Sequence, residues 1–560
     1  MMSNCNVVVV YLLLVPFLFA GATDWLKVGS KKDLDFLQLP LIPHHENIKR
    51  RRNMMKADIV ELDVLYQGYG THYIDLWVGT PPQRQTLIVG TDFHLSGFPC
   101  STCNNCGKHK ENVFDELSSA SFTQVPCNMC EAGTRCKSGT TSRYCDLHMS
   151  YADGSSWYAY EARDVAHVGL RNQTLLFDSS KDESVKSTSL SFKFLFGCQT
   201  KVTGLFATRL ADGVLGMNKN FATLWSQMYR QRALKDKSFS LCFARQAIND
   251  GERVKAGAMT LGGYDERLHF TPILYSKATS ATGDSDNFHL QIRAIYLRDG
   301  AGGEYAKAVN TNSKIIPLNI SESSLSSHLF TIVSRSSETY LPASFGIPFK
   351  KAFYKLTGKD YTHSSIMMTE SQVRALPTII LQIVGDVEGN KEMYHNPSTL
   401  PETAAVSINA EHPYDVLLAI PPSHYMERVE SSMVFIAGLY FDDDKEPIIG
   451  ANSMMGHDIH FDVKENRIGW AESGCDYHAH KHAFDTKEDQ DSTNMRKAIN
   501  SDANKGCSEW YCYHTIINAV FGSIFTVIII GVFGNRFLRD NRFFYKPVVK
   551  SEYEMQDFTP

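Results

Sequence analysis

The most constraining feature of this 560-residue chain is an internal echo. A strand-to-loop turn at Leu87 to Asp92 is followed by the hydrophobic-hydrophobic-Gly element Val214-Leu215-Gly216. The pair recurs, at a similar spacing, as Phe330 to Ser336 with Ile448-Ile449-Gly450. Such a repeat implies two related lobes, and two lobes that face each other leave a cleft between them. Around both copies the pattern is one of short strands. Ile74, Leu76 and Val78 alternate with Asp75 and Trp77, Gly79-Thr80-Pro81-Pro82 makes a turn, and Thr86 to Val89 resumes the strand. The same texture, with few long helical periods, runs to about Asp476, so the body is expected to be mainly β.

The two ends set the topology. Val7 to Ala20 is apolar and is followed by the small residues Ala20-Gly21-Ala22, which reads as a signal peptide over 1–22. Residues 23–62, with the basic cluster Lys49-Arg50-Arg51-Arg52, read as a pro-segment or flexible arm. Residues 477–514 turn polar and suit a lumenal stalk, where His478, His480 and His482 lack the partners of a metal site. Thr515 to Gly534 carries no charge, and about 20 residues rising about 1.5 Å each cross a hydrocarbon layer of roughly 30 Å. Arg536, Arg539, Arg542, Lys546 and Lys550 then place 535–560 in the cytosol. The expectation is a single-pass type I protein of a secretory-pathway membrane (endoplasmic reticulum, endosome or cell surface), its body lumenal or extracellular. Asn172-Gln173-Thr174 and Asn319-Ile320-Ser321 are glycosylation sequons, which require exposed loops.

Cysteine usage agrees with that compartment. Of 13 cysteines, Cys5 leaves with the signal peptide and an even set remains. Disulfides are the default there, and the candidates are Cys100, Cys103, Cys106, Cys127, Cys130, Cys136, Cys145, Cys198, Cys242 and Cys475. The crowded stretch from Cys100 to Cys145 also permits a zinc reading, the weaker of the two. With 56 basic against 61 acidic residues, a net charge of -5 gives no footing for a nucleic-acid partner. No cofactor and no metal are expected.

Several motifs then carry a resemblance. Val78-Gly79-Thr80-Pro81-Pro82-Gln83, Tyr151-Ala152-Asp153-Gly154-Ser155, Asp212-Gly213-Val214-Leu215-Gly216, Leu261-Gly262-Gly263-Tyr264-Asp265 and Ile448-Ile449-Gly450 resemble the pepsin-type aspartic endopeptidases. Phe461-Asp462 and Arg467-Ile468-Gly469-Trp470 resemble the family's closing strands, so the likeness covers roughly Tyr66 to Cys475. The Cys-rich insert, membrane anchor and short tail look most like the membrane-bound branch that includes plasmepsin V. The resemblance implies a bilobal β fold with a central cleft. Its N-terminal lobe would span 63–265 with insert and flap, and its C-terminal lobe 266–476. It also implies Tyr151 as the flap tyrosine facing substrate, and a Cys242–Cys475 bridge.

The family's chemistry is expected to fail here. Each catalytic Asp should open an Asp-Thr/Ser-Gly turn, but the first turn reads Gly90-Thr91-Asp92 and the second is read as Ser334-Arg335-Ser336. Gly90 and Ser334 thus stand as the family catalytic positions, with Asp92 a displaced acid and Glu338 the next nearest. Serine and glycine do not titrate near neutral pH, and Ser334 has no assignable histidine base for nucleophilic work. Asp92 and Arg335, on facing turns, are expected either to pair or to leave Arg335 in solvent. The leading expectation is an inactive pepsin-like homologue that binds a peptide or secretory client. The alternatives are an active endopeptidase processing secretory or exported proteins, and a surface scaffold that works through the Cys-rich insert.

Overall fold

The computed structural model describes residues 37–40, 42–43, 72–131, 136, 144–151, 154–168, 190–209, 211–245, 257–279, 286–429 and 432–475. The signal segment, the stalk, the span over 515–534, the tail and Asn172 lie outside the described residues. No helix among the described residues is long and apolar enough to cross a membrane.

The β expectation holds. In the first half a nine-stranded sheet carries His72–Val78, Gln83–Gly90, Gly213–Gly216, Gly97–Pro99, Leu190–Thr203 and Ser156–Val168 in that spatial order. In the second half Phe330–Val333 lies beside Ile448–Gly450 in a five-stranded sheet, and Ile292–Arg298, Thr378–Ile383 and Val416–Ile420 build a four-stranded one. A six-stranded sheet takes strands from both halves, in the order Leu37–Pro40, Gly257–Leu261, Ser238–Phe243, His457–Asp462, Arg467–Glu472 and Leu274–Lys277. That shared sheet ties the two halves of the described body into one compact unit.

Alternating apolar residues bury one face of each strand. Trp157, Trp225 and Trp470 are fully buried, and rings of this size dominate core energetics. The longest helix among the described residues, Gly346–Thr357, buries Phe349 and Phe353 and stops at Gly358, whose φ of 66° suits the left-handed residue that ends helices.

Within 23–62, expected as a pro-segment or flexible arm, Leu37–Pro40 pairs antiparallel with Ala258–Leu261 and Ile42–Pro43 with His72 and Tyr73. Pairing there covers a sheet edge whose N–H and C=O groups would otherwise lie open.

All ten candidate cysteines pair: Cys100–Cys198, Cys103–Cys106, Cys127–Cys136, Cys130–Cys145 and Cys242–Cys475. The zinc reading of the Cys-rich stretch therefore falls, since a sulfur in a disulfide is not the thiolate that zinc requires. Asn319 is exposed beyond the strand Ile315–Pro317, as a glycosylation acceptor must be.

Candidate active site

Two turns meet at the centre of the body, each placed by the same device. Gln83–Gly90 runs parallel to Gly213–Gly216 with Gly90 opposite Gly216, and Phe330–Val333 runs parallel to Ile448–Gly450 with Val333 opposite Gly450. The hydrogen bonds repeat around this pseudo-twofold. Gly216 N–H donates to Ser96 Oγ, and Gly450 N–H to Thr339 Oγ1, both at 3.0 Å. Phe93 N–H donates to the Gly90 carbonyl, and Ser336 N–H to the Val333 carbonyl, both at 3.2 Å. The equivalent triplets are therefore Gly90-Thr91-Asp92 and Val333-Ser334-Arg335.

This corrects the reading of the second turn. Ser334 is the middle residue, and the place matching Gly90 belongs to Val333. The two middle hydroxyls cross: Thr91 Oγ1 donates to the Ile332 carbonyl at 2.6 Å and accepts from Ser334 N–H at 3.1 Å. Reciprocally, Ser334 Oγ donates to the Val89 carbonyl at 2.7 Å and accepts from Thr91 N–H at 3.1 Å. Both side chains are fully buried, so each hydroxyl satisfies two backbone groups that water cannot reach.

The outer residues form the expected bridge. Arg335 Nε lies 2.7 Å from Asp92 Oδ2, with side-chain exposures of 22% and 10%. Aromatic rings enclose it. The guanidinium carbon sits 5.1 Å from the Phe93 ring centre and 5.5 Å from that of Tyr151, within cation–π range. Phe93 and Tyr151 meet edge to face at 5.1 Å. Tyr151 follows the strand Asp146–Ser150 at the tip of a hairpin with Ser156–Val168, and Trp157 Nε1 donates to its hydroxyl at 3.1 Å.

Phe93 decides what the centre can hold. A Cβ built on Gly90 would lie 2.3 Å from Phe93 Cδ2 and 2.7 Å from Cε2, so the buried ring occupies the space where a side chain at position 90 would begin. Glu338 is engaged elsewhere, accepting from the Tyr340 hydroxyl. Its charge acts on Glu427, whose carboxyl is held well above the usual range first by burial and then by that repulsion. Asp212 accepts from Thr86 N–H at 2.6 Å, Thr86 Oγ1 at 2.7 Å and Glu111 N–H at 2.8 Å. Burial nonetheless raises its pKa against those bonds, which suits a buttress for the first turn.

Comparison with known proteins adds a second line of support. Residues 72–263 match a family model described as xylanase inhibitor N-terminal. Aspartic protease 5 of Toxoplasma gondii is 31% identical over 231 residues, which are 38% of this chain and 22% of that protein. Plasmepsin V of Plasmodium falciparum is 26% identical over 203 residues, 35% of this chain and 30% of that protein. Aspartyl protease family protein 1 of Arabidopsis thaliana is 24% identical over 419 residues, 72% of this chain and 67% of that protein. These matches support a likeness to the pepsin-type aspartic proteases. The first two matches span less than a third of those relatives' length.

The likeness to aspartic proteases allows the two turns to be set against that family's pattern. In the family's Asp-Thr/Ser-Gly pattern, Gly90 and Val333 stand where the acids belong, and Asp92 and Arg335 where the glycines belong. Sequence reasoning found Thr91, Asp92, Arg335 and Tyr151, but missed Val333 and Phe93. The one signal for Val333 was that it ends the apolar run Phe330–Val333, as Gly90 ends Gln83–Gly90.

Proposed function

We propose that this chain is a non-hydrolysing, membrane-anchored member of its family that binds a peptide or secretory client without cutting it. One observation carries the loss of hydrolysis: Gly90 lies under the Phe93 ring, Val333 is its counterpart, and the nearest acid, Asp92, is held by Arg335 at 2.7 Å. Aspartic protease chemistry needs two coupled carboxyls, one taking a proton from water and the other giving one to the peptide carbonyl. Glycine and valine supply neither, and a guanidinium cannot act as a base near neutral pH. The retained flap tyrosine supports a surviving recognition role. The disulfides suit an oxidising lumen, and the uncharged 515–534 segment with its basic flank supports a type I anchor.

A second reading, a scaffold whose cleft is filled and whose Cys-rich insert makes the contacts, draws support from Arg335 lying against both Phe93 and Tyr151. Incubation of the purified chain with a peptide library at acidic and neutral pH tests the first claim; cleavage abolished by Asp92→Ala would sink it. A transition-state-like peptide inhibitor separates the two readings. A raised melting temperature supports binding in the cleft, and no shift supports the scaffold.

A further inference from the structure

A second buried polar cluster lies apart from the central turns, at the ends of interior strands of the shared six-stranded sheet. Arg245 follows the strand Ser238–Phe243, and Phe243 pairs with His457, which in turn pairs with Glu472 on the next strand. Directly opposed residues share a face of a sheet, and so do residues two apart along a strand. The Arg245 guanidinium carbon lies 4.2 Å from the Tyr305 ring centre. A Cβ on Gly456 would come within 2.7 Å of the same carbon. Its Nε, Nη1 and Nη2 are all buried with no hydrogen-bond partner. His424 comes from the helix Pro422–Tyr425, which packs on Ala451–Met454, the turn leading into His457. His424 is 2% exposed and His457 1%; both ring nitrogens of the first and Nε2 of the second lack partners.

Five unmet guanidinium donors beside one unmet and one half-met imidazole are costly when buried. We propose that Arg245, His424 and His457 form a buried site for a small carboxylate, which enters together with a proton. The planar fork of arginine matches a carboxylate's two oxygens.

The proton follows from hydrogen-bond direction. His457 Nδ1 lies 3.0 Å from the Met455 carbonyl, which can only accept, so Nδ1 carries the hydrogen and neutral Nε2 presents a lone pair. A carboxylate facing that lone pair requires Nε2 to be protonated. The surrounding charges require it too. Glu472, whose Oε1 accepts from Ala306 N–H at 2.6 Å, opposes Arg245 and Arg298, and Asp299 also opposes Arg298. Glu402, which acts on Glu472, pairs with Lys307. The neighbourhood is balanced, so an added anion brings its own counter-charge as imidazolium. In the empty site, burial and the Arg245 charge push His457 down to about 3 and His424 well below its usual value. Bound carboxylate raises both.

Titration calorimetry of the full chain in detergent with sodium formate, at acidic and neutral pH and in buffers of different ionisation enthalpy, tests the site. The expected result is saturable binding that tightens as pH falls, takes up a substantial fraction of one proton per formate, and weakens at least tenfold in Arg245→Met. His457→Gln should bind with no linked proton, which keeps the test decisive if Arg245→Met does not fold. Absence of saturable binding, binding without proton uptake in the wild-type chain, or an unchanged affinity in Arg245→Met would each overturn the proposal. The cluster would then hold water only.

Discussion

The two central turns differ in a way that separates architecture from chemistry. Their middle residues, Thr91 and Ser334, keep a reciprocal set of four hydrogen bonds between 2.6 and 3.1 Å. Their first residues, Gly90 and Val333, have lost acidity by opposite routes, one by losing its side chain and the other by becoming apolar. Their third residues carry opposite charges and bind each other. Hydroxyls that hold two halves of a body together are needed whether or not a peptide is cut, whereas carboxylates held close enough to share a proton raise each other's energy. On the proposed reading, a chain released from hydrolysis keeps the former and loses the latter. The Asp92–Arg335 pair puts attraction at positions the family pattern gives to glycine, two residues on from where it keeps repulsion.

The largest effect expected is the gain of activity on rebuilding the dyad. Gly90→Asp with Val333→Asp should remain inactive, because Phe93 fills the space above position 90. Adding Asp92→Gly, Phe93→Ser and Arg335→Gly clears the floor, and cleavage of a peptide library at acidic pH should then appear. Each restored group is worth about 100- to 10,000-fold. Activity in the two-residue revertant would show that Phe93 is not the obstacle. Next come the crossed hydroxyls. Ser334→Ala or Thr91→Val strands two buried backbone groups, each costing about 1 to 3 kcal/mol. Urea unfolding should register a loss of roughly 2 to 5 kcal/mol for either variant, with the double variant departing from the sum because the two hydroxyls brace the same pair of turns. A loss confined to one of the two residues would break the equivalence drawn between the turns.

Much of this was legible in the residues themselves. The duplicated apolar-apolar-Gly element located both turns because a parallel strand must lie beside each, and the buttress Asp212 sits in one of the quoted motifs. The register of the second turn was not legible. Val333 completes an apolar strand run, and Ser334 and Ser336 both offer a hydroxyl for the middle place; only backbone pairing with Gly450 chooses between them. Phe93 was hidden for a different reason. A phenylalanine after a turn is unremarkable until its ring is seen to lie where Gly90 has no side chain. The strand Leu37–Pro40 was missed because four residues carry too little periodicity to stand out from an arm.

A smaller effect is expected from the ion pair. Removing one partner of a fully buried pair costs about 3 to 5 kcal/mol, but Arg335 is 22% exposed and water reaches part of its charge. Arg335→Met should therefore cost about 1 to 3 kcal/mol. Asp92→Asn should cost less, since the amide oxygen still accepts from Nε. The double variant should recover part of the loss, because no charge is then left unpaired. Additive losses would mean that the two turns are held by their hydroxyls alone and that the charges at positions 92 and 335 are incidental.

The smallest effect concerns acid. With no dyad at the centre, the response of stability to pH passes to buried groups elsewhere, chiefly His457, pushed down to about 3 by burial and Arg245, and His424, lowered in the same direction. Between the ordinary histidine value and about 3, the unfolded chain binds a proton at His457 that the folded chain does not. Stability is then lost as pH falls, by up to about 1.4 kcal/mol per pH unit for each such histidine. Denaturant melts in carboxylate-free buffer should show this slope, and His457→Gln should reduce it by close to one histidine's share. A slope unchanged in His457→Gln would mean that the buried histidines do not govern the response to acid.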